Sequence, residues 1–239
     1  MTWSIVARDR DGALGVAIAS RFFAVGALCA HARSGVGALA TQGLANPLYG
    51  PAALAEMASG SASDQIVALL TDADEGRAHR QLHMIDAGGR VAAHTGAACI
   101  DWCGHTSGDG FSVAGNMLAG PQVIAQTAAA YQAGSQLPFA ERLIAAMVAG
   151  QAAGGDKRGK QAAALLIHTV EEYSWLDLRV DDSAEPLQEL RRLYDKSLER
   201  YQPFLACLPS RDRPFGITDR ALIEAEVARF HAARGEVQA

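Results

Sequence analysis

Thr2-Trp3-Ser4-Ile5-Val6-Ala7-Arg8, the turn Asp11-Gly12, and Leu14-Gly15-Val16-Ala17-Ile18-Ala19-Ser20 form the stretch on which the reading of this chain turns. Residues 3–7 alternate and are rich in β-formers, Asp-Gly is a hairpin signal, and residues 14–20 read as a small-residue strand with no polar face. A strand apolar on both faces must be covered on both, so this hairpin predicts a sheet held inside a layered domain. Residues 26–30 and 36–42 repeat the texture on either side of Ser34-Gly35 and are expected as further strands.

Helices are expected over 51–58, with Pro51 in the first turn, and over 63–70, with Ser63 as cap. Strands resume at 82–86 and 90–94 around the hairpin signal Ala87-Gly88-Gly89, and again at 111–116. Helices over 121–132 and 139–151 lead through a glycine-rich loop, 153–159, to strands at 162–168 and 176–180. Beyond Pro186 the leucines recur at helical spacing, and Thr218 is expected to cap a last helix. Strand blocks alternating with helix pairs pack most simply as an α+β, four-layer αββα sandwich: two mainly antiparallel sheets between helical layers. The expected domains are 1–185, the sandwich, and 186–239, a helical C-terminal extension packing on it.

The 239 residues suffice for one large domain, and 49% hydrophobic with 20% charged residues is the composition of a soluble globular protein, not of a disordered or fibrous chain. A net charge of −5 offers no basic field for a phosphate backbone, so no nucleic acid partner is expected. Cys29, Cys99, Cys103 and Cys207 form no CxxC pair, which predicts neither zinc site nor disulfide framework and fits a reducing cytoplasm. Arg8, Asp9, Arg10 and Asp11 break the start before an apolar segment can form, so no targeting segment is expected. Residues 110–140 carry no charge, but Asn116, Pro121 and Gln122 make them too polar for a membrane helix, and no membrane partner is expected.

The sharpest chemical feature is Thr2. Methionine aminopeptidase removes Met1 before a small side chain, leaving an α-amine beside a hydroxyl, so that one residue supplies both nucleophile and proton acceptor. Many chains begin this way without catalytic meaning. Ser4, on the same strand face, is the rival nucleophile or a partner of that amine. Ser20-Arg21 ends an apolar strand, which predicts a semi-buried guanidinium bound to a substrate carboxylate or to an internal acid such as Asp156. Asn46 and Asn116 follow strands, where an amide can donate to an oxyanion or merely form a turn. The loop with Asp156, Lys157 and Arg158 is either an anion site or a solvated hairpin, and it lacks the spacing of a phosphate loop. His79 and His83 show no catalytic pattern, and His94 and His105 beside Cys99 and Cys103 read as a loop with two thiols, with a metal site or a Cys99 nucleophile as the alternatives.

The start through Arg8-Asp9, and Gly15-Val16-Ala17-Ile18-Ala19-Ser20-Arg21-Phe22-Phe23, resemble the family designated domain of unknown function 1028, a branch of the N-terminal nucleophile hydrolase superfamily. Ala40-Thr41-Gln42, Ala45-Asn46-Pro47, Thr95-Gly96-Ala97-Ala98-Cys99, Ala114-Gly115-Asn116-Met117, Gly154-Gly155-Asp156-Lys157-Arg158-Gly159 and Asp177-Leu178-Arg179-Val180-Asp181-Asp182 resemble its further blocks, in order, over about residues 2–190. Gln161-Ala162-Ala163 departs from the family, whose members commonly carry a serine after the glutamine, so no hydroxyl there is essential in this chain. The resemblance implies an αββα sandwich and hydrolysis of a C–N amide-type bond; that the substrate is a small, acidic metabolite is expected from Arg21, which would orient it. Thr2, Ser4, Asn116 and Asp156 are then the candidate catalytic residues, and Ser20, Arg21, Gln42, Asn46 and Arg158 the candidate substrate-binding residues. No metal and no cofactor are called for. The expected partners are a small-molecule substrate and further copies of the chain in a homo-oligomer. The alternative is a catalytically silent protein of the same fold that binds a metabolite or serves as an assembly subunit.

Overall fold

The computed structural model describes residues 2–235. The expected hairpin forms from β1 (Thr2–Arg8) and β2 (Leu14–Ser20), with Thr2 opposite Ser20. There follow α1 (Val25–Cys29), β3 (Ala30–Arg33), β4 (Gly37–Gly43), α2 (Tyr49–Ala58), α3 (Ser63–Asp72), β5 (Arg80–Asp86), β6 (Val91–Thr95), β7 (Gly104–Gly108) and β8 (Phe111–Asn116). The chain continues through α4 (Gln122–Ala133), α5 (Phe139–Ala152), β9 (Ala162–His168), β10 (Leu176–Val180), α6 (Pro186–Glu199), α7 (Tyr201–Leu205) and α8 (Arg220–Ala233). It divides into two compact units, Met1–Leu190 and Arg191–Ala239, the cut falling inside α6.

In the first unit the strands form a six-stranded sheet, β10-β9-β2-β1-β8-β7, and a four-stranded sheet, β3-β4-β5-β6, and the pairings in both are antiparallel. Helices α4 and α5 cover the larger sheet, α2 and α3 cover the smaller, and β1 and β8 face β4 and β5 across the middle. This is the expected α+β sandwich. Both faces of β2 are buried along its whole length, as its apolar sequence required. Between the sheets lie Val6, Val16, Ile18, Ala38, Ala40 and Ile85, while Leu39, Tyr49, Met57, Leu82 and Met84 pack under α2 and α3. Among the described residues no helix is long and apolar enough to cross a membrane. The second unit carries α7 and α8, with α8 joined to the chain before α7 by the Arg200–Glu224 pair at 2.7 Å.

Four local expectations need correction. Residues 26–30 are not a strand but α1 followed by the start of β3. Val25 and Cys29, one helical turn apart, are its buried positions, and Gly26 is small enough to let it sit on Ala164 of β9. A short run of small apolar residues does not distinguish helix from strand. The edge strand β7 escaped notice because Gly-His-Thr-Ser-Gly carries no apolar alternation and pairs only through β8. Ser63 is the first residue of α3, not its cap, and its hydroxyl donates to Asp86 Oδ2 at 3.3 Å. Asp219, not Thr218, caps α8, its carboxylate accepting from the amides of Ala221 and Leu222 at 2.8 and 3.2 Å.

The helical cover is seated on Trp3, which is 1% exposed. A Cβ added to Gly150 of α5 would collide with Thr127 Oγ1 and come within 2.8 Å of Trp3 Nε1. Gly150→Ala should therefore destabilise the fold by about 1 to 3 kcal/mol of overpacking, outweighing the ~1 kcal/mol that alanine gains in a helix interior. Thermal unfolding followed by circular dichroism should show a lowered midpoint, and an unchanged or raised one would refute this packing.

Candidate functional site

Thr2 begins β1 with Ser20, the end of β2, opposite it on one side and Asn116, the end of β8, on the other. Its side chain turns toward the smaller sheet and is nearly buried, and Thr2 Oγ1 donates to Ser20 Oγ at 3.0 Å. At this end of the sandwich the strand termini and the loops that leave them enclose a cleft of two adjoining lobes, about 320 and 300 Å³. Thr2 and Gln42 line one lobe and Asn116 and Met117 the other, while Phe22, Gly43, Leu44 and Arg158 belong to both. Gly43, with φ +82, ends β4 at the join, where a Cβ would come within 2.7 Å of the His79 carbonyl.

Behind the cleft the space between the sheets is filled by hydrogen-bonded polar side chains. Gln81 of β5, fully buried, places its Nε2 2.9 and 3.1 Å from the carbonyls of Gly115 and Gly104 and 2.9 Å from Thr95 Oγ1, three acceptors that share its two hydrogens. Carbonyls only accept, so the Gln81 amide has one possible orientation and its Oε1 must be an acceptor. That oxygen receives Gln42 Nε2 at 2.8 Å and Asn116 Nδ2 at 3.0 Å, which orients both of those amides as well. Gln42 Oε1 then accepts the Ser4 hydroxyl at 2.8 Å.

Ser4 has a second neighbour that the sequence did not reveal. His83 Nε2 lies 2.7 Å from Ser4 Oγ, and His83 Nδ1 lies 3.1 Å from Ser112 Oγ. Burial, with His105 nearby, pushes the pKa of His83 down to about 3, so the ring is neutral. The single Ser4 proton is already given to Gln42, so Nε2–H of His83 donates to Ser4, which leaves Nδ1, beside Ser112 Oγ, as the unprotonated nitrogen of the neutral ring. The pair resembles a nucleophile and its base in distance but runs in the opposite sense, since the imidazole offers Ser4 a proton and takes none. Ser4 and His83 are both 0% exposed. This arrangement speaks against Ser4 as the nucleophile and places it as a member of the buried network.

Of the other expected site residues, Ser20, Gln42, Asn116 and Arg158 are brought to Thr2 or its cleft. Asp156 is placed behind it: its carboxylate accepts from the backbone N–H groups of Arg21 and Arg158, each at 2.8 Å, and from Arg158 Nη2 at 3.3 Å. Positive φ at Gly154, Gly155 and Gly159 bends the loop that carries it. Arg21 is corrected. Its guanidinium is exposed and bonds the Arg158 carbonyl at 2.6 Å, and only its backbone reaches Asp156, because the chain turns outward after β2. Arg21 lines neither lobe. Asn46 is corrected too. It bonds the amide of Leu48 at 3.1 Å and Asp74 at 3.3 Å, beside the Asp74–Arg80 pair, and forms a turn.

Cys29 and Cys99 line the cleft, but burial pushes the Cys29 thiol up to about 12 and also raises that of Cys99, so neither is an activated nucleophile. His105 pairs with Thr95 at 2.9 Å, and among the described residues no group of His, Cys, Asp or Glu is placed to hold a metal ion. Sequence reasoning missed Gln81, His83 and Ser112. The available signal was polar residues at alternate positions, Gln81 and His83, in a strand whose other face is Leu82 and Met84.

Residues 2–190 match a family described as a family of unknown function, DUF1028. Among solved structures, the crystal structure of protein SPO2555 from Silicibacter pomeroyi, which bears the same family designation, superposes with a TM-score of 0.84 at 31% sequence identity. The likeness covers 91% of this chain and 99% of that one. No curated protein matches the chain.

The neutrality of His83 has a pH signature. In an unfolded chain histidine titrates near about 6.5. Below that pH the unfolded state binds a proton at residue 83 that the folded state refuses until about pH 3. This contribution to stability is complete above about pH 6.5 and is lost as pH falls, by up to about 1.4 kcal/mol per unit. Burial lowers His31, His105 and His168 in the same direction. His83→Gln keeps a donor for Ser4 but cannot titrate, so its melting temperature should fall less between pH 7 and pH 5 than that of the native chain. Equal slopes in the two proteins would refute a neutral, untitrated His83.

Proposed function

Because the chain belongs to the DUF1028 family, whose function is unknown, its activity has to be argued from its own cleft, and we propose that it is an N-terminal nucleophile amidohydrolase acting on the C–N bond of a small-molecule amide. The observation that carries this reading is that Thr2, among the described residues lining the cleft, is the one with a hydroxyl, and it begins the strand. Met1 itself lies outside the described residues. Its removal turns the Thr2 nitrogen into an α-amine on the same residue, with an ordinary pKa of about 7.7 to 8.0, suited to act as a base near neutral pH.

In this mechanism Thr2 Oγ1 attacks the amide carbonyl while its proton passes to the α-amine. Ser20 Oγ, which accepts the Thr2 hydroxyl, holds the oxygen in line before attack. Gln42 and Asn116 each commit one amide N–H to Gln81 Oε1, and each has a second N–H for the negative oxygen of the tetrahedral intermediate. The ammonium returns its proton to the leaving nitrogen, the C–N bond breaks, and an ester to Thr2 remains. Water, deprotonated by the same amine, attacks that ester and releases the carboxylic acid and free Thr2. Arg158, steadied by Asp156, supplies the positive charge that an acidic substrate needs, the role first expected of Arg21.

Intact-mass and peptide mass spectrometry with an acylating amide probe tests this reading. Met1 should be absent, the acyl group should appear on Thr2, Thr2→Ser should still be labelled, and Thr2→Ala should fold normally yet lose label and turnover by orders of magnitude. Retention of Met1 in a fully active preparation, or label on Cys99, would overturn it.

A further inference from the structure

The lining of the cleft restricts what it can hold. Arg158 is the one charged side chain, among the described residues, that borders either lobe, and no carboxylate or lysine does. The Asp156 pair engages Nη2 at 3.3 Å, yet the Arg158 side chain remains 38% exposed, whereas Asp156 is turned inward at 1%. The cleft is therefore bordered by one part-exposed guanidinium, held from behind by its ion pair with Asp156. The remaining walls are largely apolar: Ala98, Ile100 and Met117 in one lobe, Leu28 and Ala45 in the other, with Phe22 and Leu44 common to both. Phe22, Leu44 and Ile100 leave 49%, 63% and 57% of their surface in water at this mouth. Exposed apolar surface gathered around a concave site is what an apolar ligand arm would cover.

The position of the charge adds a geometric restriction. Arg158 borders the Thr2 lobe and the Asn116 lobe alike, so it stands where they meet and not at the far end of either. An anion bound there borders the lobe that Thr2 lines. Resting on the amidohydrolase reading above, we infer that the substrate class is an N-acyl amino acid: an amide whose carboxylate pairs with Arg158 while an apolar acyl arm fills a lobe. A sugar amide would leave the apolar walls without a complement. Hydrolysis of this class releases a fatty or other apolar acid and a free amino acid. The C–N bond breaks, water supplies OH to the acyl carbon and H to the nitrogen, and no oxidant or reductant takes part.

Binding and turnover are separated by working with the full-length Thr2→Ala chain. Isothermal titration calorimetry with N-hexanoylglycine, its methyl ester and N-acetylglycine varies the charge and the apolar arm independently. N-hexanoylglycine should bind about tenfold or more tightly than either of the others, the size of one charge-assisted hydrogen bond or a few buried methylenes. Arg158→Gln in the same background should bring acid and ester to within about threefold of each other and leave the ester where it was. Equal binding of acid and ester, discrimination that survives Arg158→Gln, an acetyl compound as tight as the hexanoyl one, or no binding of any of the three would overturn the substrate class. If the native chain cleaves neutral amides in a Thr2-dependent way without preferring the acid, the class fails while the nucleophile stands. If the binding order holds but the native chain is never acylated and never turns over N-hexanoylglycine, the nucleophile fails while the ligand class stands.

Discussion

The Gln81 side chain reaches from the smaller sheet to the carbonyls of Gly104 and Gly115 in the larger, and those two main-chain acceptors leave its amide no freedom to turn over. Every other polar orientation near the cleft follows from that. With Oε1 of Gln81 fixed as an acceptor, Gln42 and Asn116 must donate to it, Ser4 must donate to Gln42, and His83 must donate to Ser4. A gap between two sheets is ordinarily filled with apolar side chains, because buried polar groups cost free energy unless each finds a partner. Here the inward positions grade along the strands, from Thr2 and Ser4 to Val6 in β1 and from Gln81 and His83 to Ile85 in β5. One end of the sandwich is oil and the other is a satisfied polar network, and the cleft opens at the polar end.

That gradient decides where chemistry is available. Strand ends of both sheets meet at the cleft: the start of β1, the ends of β2, β4 and β8, and the loop before β9. Loops leaving a rigid sheet can vary in sequence without disturbing the frame. Met117, with φ +53, shows how firmly the frame holds them. Its N–H bonds the Ile100 carbonyl at 2.7 Å, and that contact sustains a left-handed conformation unusual for a residue with a side chain.

Much of this fold was legible because the signals were local. β2, β8, β9 and β10 begin and end where their apolar runs and bounding turns said they would. The αββα order followed from alternating strand blocks and helix pairs. What stayed hidden depends on contacts distant in sequence. Ser4 and His83 are separated by 79 positions and Gln81 and Gly115 by 34, and nothing in either neighbourhood announces the other. The expected strand over 82–86 left Gln81 out, and polar residues on one strand face normally meet water. Here the polar face is buried between the sheets and the apolar face is buried under helices. Arg21 misled for a related reason: an arginine after an apolar strand was assumed to stay within the core, but the chain turned outward, and the cation at the cleft comes instead from Arg158, 137 positions away.

The same proton accounting explains why a buried serine beside a histidine is a poorer candidate than the residue that begins the strand and lines the cleft. A hydroxyl becomes a nucleophile only if something near it can take its proton, and neutral His83 has given its one proton to Ser4 and faces Ser112 with its one unprotonated nitrogen. Taking a proton from Ser4 would require Gln42 to lose its donor and the imidazole to carry a charge in a site that excludes water, which its depressed pKa opposes. Thr2 faces no such obstacle. Thr2 lines the cleft, and its partner Ser20 accepts without being charged. The network that surrounds Ser4 also fixes Gln42 and Asn116 as donors to Gln81 Oε1, so the rigidity behind the cleft and the geometry at its mouth depend on one set of hydrogen bonds.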